Sequence, residues 1–278
     1  MQPAVTNTGS WWADATSPEL GALDPERTVV LLPVAAVEQH GPHLPLGTDS
    51  LVTESLVRHA LATPRPLARV LALPPLVIGH SLEHEGFPGT LSADVGTLLA
   101  LWEGVVRGVA RCGVRKLVIV NAHGGQRGLV DLAAVRLRAA LGLLVVRASW
   151  FDFGVPPGLF PPDELAHGLH GGEVETSLVL HLRPDLVRRE HLADFRGLTH
   201  ARADRALGPE RPIGYGWLAG DLHAQGVVGN AAAADAERGA RLHAHLAARL
   251  DAVIDELAAT PLAALLAAPA RGLTPGPG

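Results

Sequence analysis

The sequence predicts an α/β domain whose central sheet is mostly parallel and covered by helices on both faces. Three observations lead there. Short apolar runs bounded by turn residues alternate with segments whose apolar positions recur at helical spacing. The runs are continuously apolar, as strands buried on both sides require. The intervening segments are long enough for the crossovers that parallel neighbours need.

In chain order, Thr28 to Ala36 (TVVLLPVAA) reads as a fully buried strand, and Asp49 to Ala62 as a helix that Pro64 stops. Arg69 to Leu73 is a second strand. Asp94 to Arg111 forms a long helix, with Ser92 as its cap and Gly113 as its stop. Lys116 to Asn121 (KLVIVN) is the clearest strand, short, rich in β-branched residues and soon followed by glycines. A helix from Gly128 to Ala140 and a strand from Leu143 to Ala148 repeat the unit. Arg183 to Gly229 is irregular and rich in Arg, Gly and His, suited to covering a site or meeting another subunit. Ala231 to Leu257 reads as a final outer helix. From Ala267 the chain has too little to bury and too many chain breakers to hold a fold, so residues 1–258 are expected as one domain and 259–278 as a flexible tail.

With 278 residues, 47% of them hydrophobic and 18% charged, the chain can bury one large core. A formal net charge of -5 and the lack of any Lys/Arg-rich run argue against nucleic acid as a partner. The lone Cys112 excludes an intrachain disulfide framework and a multi-cysteine zinc ribbon. It reads as an inert core residue, and the cytoplasm is the expected compartment. No uncharged apolar segment approaches the roughly 18–20 residues that cross a bilayer, so a soluble protein without a membrane partner is expected.

Three motifs carry chemistry. The first is Glu38-Gln39-His40-Gly41-Pro42-His43-Leu44-Pro45-Leu46-Gly47-Thr48-Asp49. Glu38 and His40 are two apart, so on an extended chain they point to one side while Gln39 points away. Asp49 follows a loop stiffened by Pro42 and Pro45, long enough to return a carboxylate that bridges two ions. Carboxylate and imidazole donors together suit Zn, Mn or Fe. The second motif is Asn121-Ala122-His123-Gly124-Gly125, whose glycines let the backbone pass close to a ligand. It is neither a dinucleotide fingerprint nor a Walker loop. Gly79-His80-Ser81-Leu82-Glu83 likewise fails as a nucleophile elbow, ending in Glu where Gly is needed.

The third motif, His170-Gly171-Gly172-Glu173-Val174-Glu175-Thr176-Ser177, opens a helix. Glu173 and Glu175 are about 200° apart on the helical wheel, so one faces inward. Glu175 shares its face with Val179 and Leu182 and is the expected ligand, while Glu173 shares a face with Ser177 and is expected on the solvated side. His170 sits on a glycine hinge, free to move a proton. Ligands of parallel α/β sheets bind beyond the carboxyl ends of the strands, where Glu38, His40 and His123 fall. His43, His84, Gln126 and Trp150 are candidate substrate contacts, with Phe151 and Phe153 as an aromatic wall and Glu85 at the mouth. Each residue also has a plain structural reading: a polar turn, a histidine bonded to backbone, or an aromatic in the core.

These segments resemble the signature segments of the creatininase (creatinine amidohydrolase) family, in the family's order and at similar separations. Gly79 to Ser92, with Glu85-Gly86-Phe87-Pro88-Gly89-Thr90, resembles another. The similarity spans Thr28 to Arg183, with a fainter echo at Gly226 to Arg241. It implies a three-layer α/β/α sandwich with a mostly parallel central sheet, assembled as a homo-oligomer, often a hexamer. It also implies two divalent metal ions per subunit, Zn, Mn or Fe, and hydrolysis of a non-peptide or small-peptide amide C–N bond by a metal-activated water. Glu38, His40, Asp49 and His123 match the family's metal ligands, Asp49 as the bridge, and His170 matches its proton-transferring histidine.

One position departs. Creatinine-hydrolysing members carry a metal-binding glutamate where this chain has Gly125, a change shared by an H-G-G branch in which Glu175 is the expected replacement. The expected substrate is therefore not creatinine but a formamide-type pyrimidine intermediate, a ring amide or ketone, or the terminus of a cofactor-precursor peptide. Two other classes stand beside this one. A metal-dependent lyase or phosphate-ester hydrolase would use Arg127 or Arg147 to hold a phosphate. A non-catalytic metal-binding subunit would have shed ligands or the acid histidine, and this chain keeps them.

Overall fold

The computed structural model describes residues 8–203, 205–209 and 213–265. The chain passes through β1 (Ser10–Trp11), α1 (Ser17–Gly21), β2 (Thr28–Val34), α2 (Thr48–Ala62), β3 (Arg69–Ala72), α3 (Val95–Arg111), β4 (Lys116–Asn121), α4 (Arg127–Leu141) and β5 (Leu144–Ser149). It continues through α5 (Pro162–His167), α6 (Glu173–Leu182), β6 (Asp194–Phe195), α7 (Leu198–Ala201), α8 (Ala219–Leu222), β7 (Gly229–Asn230), α9 (Ala236–Ala259) and α10 (Leu262–Leu265).

The central sheet has the order β1-β3-β2-β4-β5, and every neighbouring pair in it is parallel. Successive side chains of a strand point to opposite faces, and the two faces of β2 are both apolar. Val29 and Leu31 enter one core with Val52, Leu56, Leu242 and Leu250 of α2 and α9. Val30, Leu32 and Val34 enter the other with Leu98, Trp102, Val130 and Ala133 of α3 and α4. The result is a three-layer α/β/α sandwich, which is why the strands read as unbroken apolar runs. α6 packs against α2 and α9 on the first face.

Four strands fall within two residues of the positions read from the sequence, and β1 is an addition too short to leave a periodic signal. Two helix starts differ. Asp94 rather than Ser92 caps α3, its Oδ1 accepting from the Thr97 amide at 3.0 Å, while Ser92 Oγ accepts from the Ser81 amide. α9 begins at Ala236 behind the Asp235 cap, and Ala231–Ala233 makes a separate 3-10 turn. The irregular stretch holds β6, which pairs antiparallel with β7 outside the main sheet. Of the expected tail, Leu262–Leu265 is helical, and residues 266–278 lie outside those described.

Lys116 is wholly buried at the start of β4. Its ammonium donates to the carbonyls of Glu26 at 2.6 Å, Ala258 at 3.3 Å and Thr260 at 2.8 Å. A cation among the last carbonyls of a helix satisfies acceptors that have no partner within it, so Lys116 ties the end of α9 to the sheet.

Candidate metal centre

The site forms where the chain leaves the carboxyl ends of β2 and β4. Glu38 and His40 follow β2, and the Glu38 amide donates to Leu46 O at 3.0 Å, closing the loop that delivers Asp49 to the first turn of α2. Beyond β4, Asn121 clamps the turn that holds His123: its Nδ2 donates to His123 O at 2.8 Å and its Oδ1 accepts from the His123 amide at 3.1 Å. Glu175 comes from the first turn of α6, where the Gly171 amide donates to its Oε2 at 2.6 Å. His170 is fixed by an antiparallel bridge to Val228.

Backbone carbonyls set the imidazoles, because a carbonyl can only accept and the ring nitrogen facing it must carry the proton. His40 donates from Nδ1 to Glu38 O at 3.1 Å, leaving Nε2 for the site. His123 donates from Nε2 to His80 O at 2.8 Å, leaving Nδ1. His170 donates from Nε2 to Gln39 O at 2.7 Å, leaving Nδ1. Asp49 lies between the first two, with Oδ1 3.4 Å from His40 Nε2 and Oδ2 3.4 Å from His123 Nδ1. Glu38 spans the same pair, at 4.0 Å from His40 Nε2 and 3.2 Å from His123 Nδ1.

Several of these atoms lack what burial normally demands. Glu38 Oε2, His40 Nε2 and Asp49 Oδ2 are buried without a hydrogen-bond partner, although buried polar atoms are nearly always paired. Glu38 Oε2 and Asp49 Oδ2 lie 3.2 and 3.4 Å from His123 Nδ1, and His40 Nε2 lies 3.4 Å from Asp49 Oδ1, a cluster of unpaired donors that cations satisfy. Among the described residues, three groups offer ligand atoms within 4.8 Å of one another: Glu38/His40/His170, Glu38/Glu83/His123 and His40/Asp49/Glu175. Oxygen and nitrogen donors in these numbers fit divalent Zn, Mn or Fe.

The charges reinforce one another across the cluster. Burial opposes the cationic form of His40, but the Asp49 carboxylate 3.4 Å away outweighs it and raises its pKa to about 10. Burial likewise opposes a charged His123, and Glu38 outweighs it, giving about 9. Glu38 is held far below the usual carboxylate range by His123, His170 and His40 against its own burial. Burial, then the neighbouring Glu38 charge, raises Asp49 to about 6. His170 moves the other way, lowered by burial and by His40, so it is a neutral base at physiological pH.

A cavity of about 350 Å³ opens onto the cluster, lined by Glu38, Asp49, Glu83, His84, His123, His170 and Glu175 and walled by Trp150, Phe151 and Trp217. His84 and Trp150 thus reach the cavity as expected of substrate contacts. Gln39 points away and its Nε2 donates to His84 Nδ1 at 2.8 Å, fixing that ring. His43 and Gln126 are not brought to the cavity wall. His43 Nε2 sits 2.9 Å from Gly171 O and 3.0 Å from Thr176 Oγ1, bracing the start of α6. Gln126 donates to Asn121 Oδ1 at 2.9 Å beneath the His123 turn. Phe153 packs into the core and Glu85 is exposed outside the cavity.

Glu173 is not on a solvated face: it is 1% exposed and pairs with Arg238 of α9. α6 is flanked by protein on both sides, a condition no helical wheel records. Glu83 is an acidic residue of the cluster that the sequence reading did not name as a candidate ligand. It stands in the 3-10 turn Leu82–His84, next to His84, inside a loop with no periodicity to orient it. Glu164 of α5 also lines the cavity, its carboxylate accepting from the Glu173 and Asn230 amides at 2.7 and 2.9 Å. Of the candidate phosphate holders, Arg127 lines the cavity but is paired with Asp152, and Arg147 is paired with Asp131 elsewhere.

Comparison with known proteins agrees with this arrangement. The Creatininase family model, described as creatinine amidohydrolase, matches residues 13–254. A mycofactocin precursor peptide peptidase of Mycobacterium tuberculosis (strain CDC 1551 / Oshkosh) is 37% identical over 194 residues, 68% of this chain and 69% of that one. A creatinine amidohydrolase of Pseudomonas putida is 35% identical over 184 residues, 60% of this chain and 68% of its own. A solved structure described as the Mn form of creatininase superposes with a TM-score of 0.67 at 26% identity, covering 90% of this chain and 99% of that one.

Proposed function

Because the chain belongs to the creatininase family, we propose that it is a metal-dependent amidohydrolase that cleaves a small amide or the terminal amide of a short peptide. The observation that carries this reading is the set of buried donors with unpaired atoms at the floor of the cavity. Glu38, His40, Asp49, His123 and Glu175 would hold two divalent ions, with Asp49 between the two histidines. Such ions, when bound, lower the pKa of water towards about 7 and polarise a carbonyl.

The chain's own residues do the rest. His170 presents a lone pair at Nδ1, 3.9 Å from Glu38 Oε1, while its Nε2–H is anchored on Gln39 O. As a neutral base it takes the proton of the attacking water and returns it to the departing nitrogen, which avoids expelling an amide anion. His84, held by Gln39, adds a second imidazole whose ring centre is 4.3 Å from that of His170. Trp150, Phe151 and Trp217 offer flat apolar surface that orients the acyl or amine part and displaces water.

The phosphate-ester reading loses support because five carboxylates line the cavity, Glu38, Asp49, Glu83, Glu164 and Glu175, against the single paired Arg127. For assembly we propose a homo-oligomer, supported by exposed Leu101 on α3 and Leu132 and Val135 on α4. Light scattering on the purified protein reads that directly.

The test of function is metal content together with amine release. Protein purified without chelator is assayed by elemental analysis and then with a panel of short peptides, ring amides, formamides and creatinine. Two equivalents of metal and turnover of an amide, with creatinine poorest, is the expected result. Metal-free protein, or metal loading that survives Asp49→Ala, overturns it.

A further inference from the structure

Glu83 and Gly125 fit each other in a way that neither the chain's motifs nor its relatives' names account for. A Cβ placed on Gly125 would lie 1.6 Å from Glu83 Oε1, 2.6 Å from Glu83 Cδ and 2.8 Å from His123 Nε2. Position 125 therefore lacks a side chain where the Glu83 carboxylate stands. That carboxylate arrives from the loop between β3 and α3, through the turn Leu82–His84. The loop is locked to the same histidine, since His80 O accepts from His123 Nε2 at 2.8 Å and Ser81 Oγ lies 3.4 Å from that atom. Glu83 Oε1 is 3.5 Å from His123 Nε2, the protonated nitrogen of that ring; the Glu83 side chain is only 14% exposed and offers a ligand atom in one cluster with Glu38 and His123.

Building on the metal-dependent reading above, we propose that Glu83 is a ligand of the His123 half of the centre and that Gly125 keeps its seat open. Two arguments support it. The groups Glu38/Glu83/His123 and His40/Asp49/Glu175 share no residue and each offers one imidazole and two carboxylates, with Asp49 also 3.4 Å from His123 Nδ1 between the two. The charge is also matched, since four carboxylates offset two divalent ions that carry a neutral water. Glu38 brings the unpaired buried oxygen that this half of the site presents.

Glu83→Ala and Glu83→Gln, each checked for folding by circular dichroism, are stripped of metal and titrated with Zn²⁺ against a chromophoric chelator. Wild type is expected to take two equivalents. Both variants are expected to keep one equivalent and to bind the second at least tenfold more weakly. Gly125→Ala should weaken the same equivalent, because its methyl group displaces the carboxylate. Two equivalents at unchanged affinity in Glu83→Ala overturn the assignment while leaving the metal centre intact. Loss in Glu83→Ala with full retention in Glu83→Gln also overturns it, since the amide keeps the shape and acceptor that merely bracing His123 needs. Fewer than two equivalents in wild type overturns the binuclear reading itself.

Discussion

Gly239→Ala should destabilise this protein although alanine is the better helix former. Gly239 lies inside α9, where the exchange alone is worth roughly 1 kcal/mol in favour of alanine. The packing of α9 on α6 reverses the sign. A Cβ at Gly239 would sit 1.8 Å from Ser177 O and 2.4 Å from Ser177 C, and real Cβ atoms do not approach closer than 3.0 Å, so the helices must part by about 1.2 Å. Both contacts are backbone, so no side chain can rotate away. Overpacking of this kind costs roughly 1–3 kcal/mol or more, and with backbone on both sides a net loss of about 2 kcal/mol is expected after the propensity gain. For a chain of this size that is a fall of roughly 4–8 °C in melting temperature. Gly104→Ala on α3, where nothing lies within 4 Å of the added methyl, is the control and should raise it by a few degrees. The assay is thermal unfolding of both variants beside wild type. Equal upward shifts would refute the packing argument. Because α6 also carries Glu175, the expected loss of stability comes with weaker metal binding.

Lys116→Met should cost about 2–4 kcal/mol by stranding three carbonyls that one ammonium satisfies, and a melting temperature within a degree of wild type would contradict this. His170→Gln should lower kcat by roughly 10²–10⁴ while metal content stays at the wild-type level, and loss of metal would instead make His170 a ligand. Chelation should lower the melting temperature, with Mn²⁺ or Zn²⁺ restoring it, since an ion at a thousand times its Kd adds about 4 kcal/mol; an unchanged transition contradicts a buried site. Burial, and then His181 and His59, depress His243 from 6.5 to about 4. The folded state therefore binds fewer protons there than the unfolded chain, so stability should fall as pH drops from about 6.5 towards 4. His243→Gln should flatten that stretch of the denaturation profile, and an unchanged slope would show that the acid sensitivity arises elsewhere.

The sandwich was legible because strands buried on both sides must be apolar at every position, as Val29 to Val34 are. The candidate cluster was legible where spacing next to a strand end fixes direction: the two-residue spacing of Glu38 and His40 past β2, and the turn clamped by Asn121 at His123 past β4. Legibility ended where a neighbour rather than local spacing decides the outcome. Glu173 is buried by α9, a partner more than fifty positions away, and His43 and Gln126 are absorbed by backbone groups that only the folded chain brings near. Glu83 belongs to a loop without period, and its meeting with Gly125 is a contact between distant segments.

The six candidate donors of the cluster come from the loop after β2, α2, the loop after β3, the turn after β4 and α6. None of these pieces holds a complete set alone. α6 in turn rests on α9, near the end of the described chain. A nascent chain still lacking α9 thus has no place to grip an ion tightly, and loading belongs after folding rather than before it. Shortened chains ending ahead of α9 should emerge without metal even where their sheet forms, and metal content then reports completion of the fold.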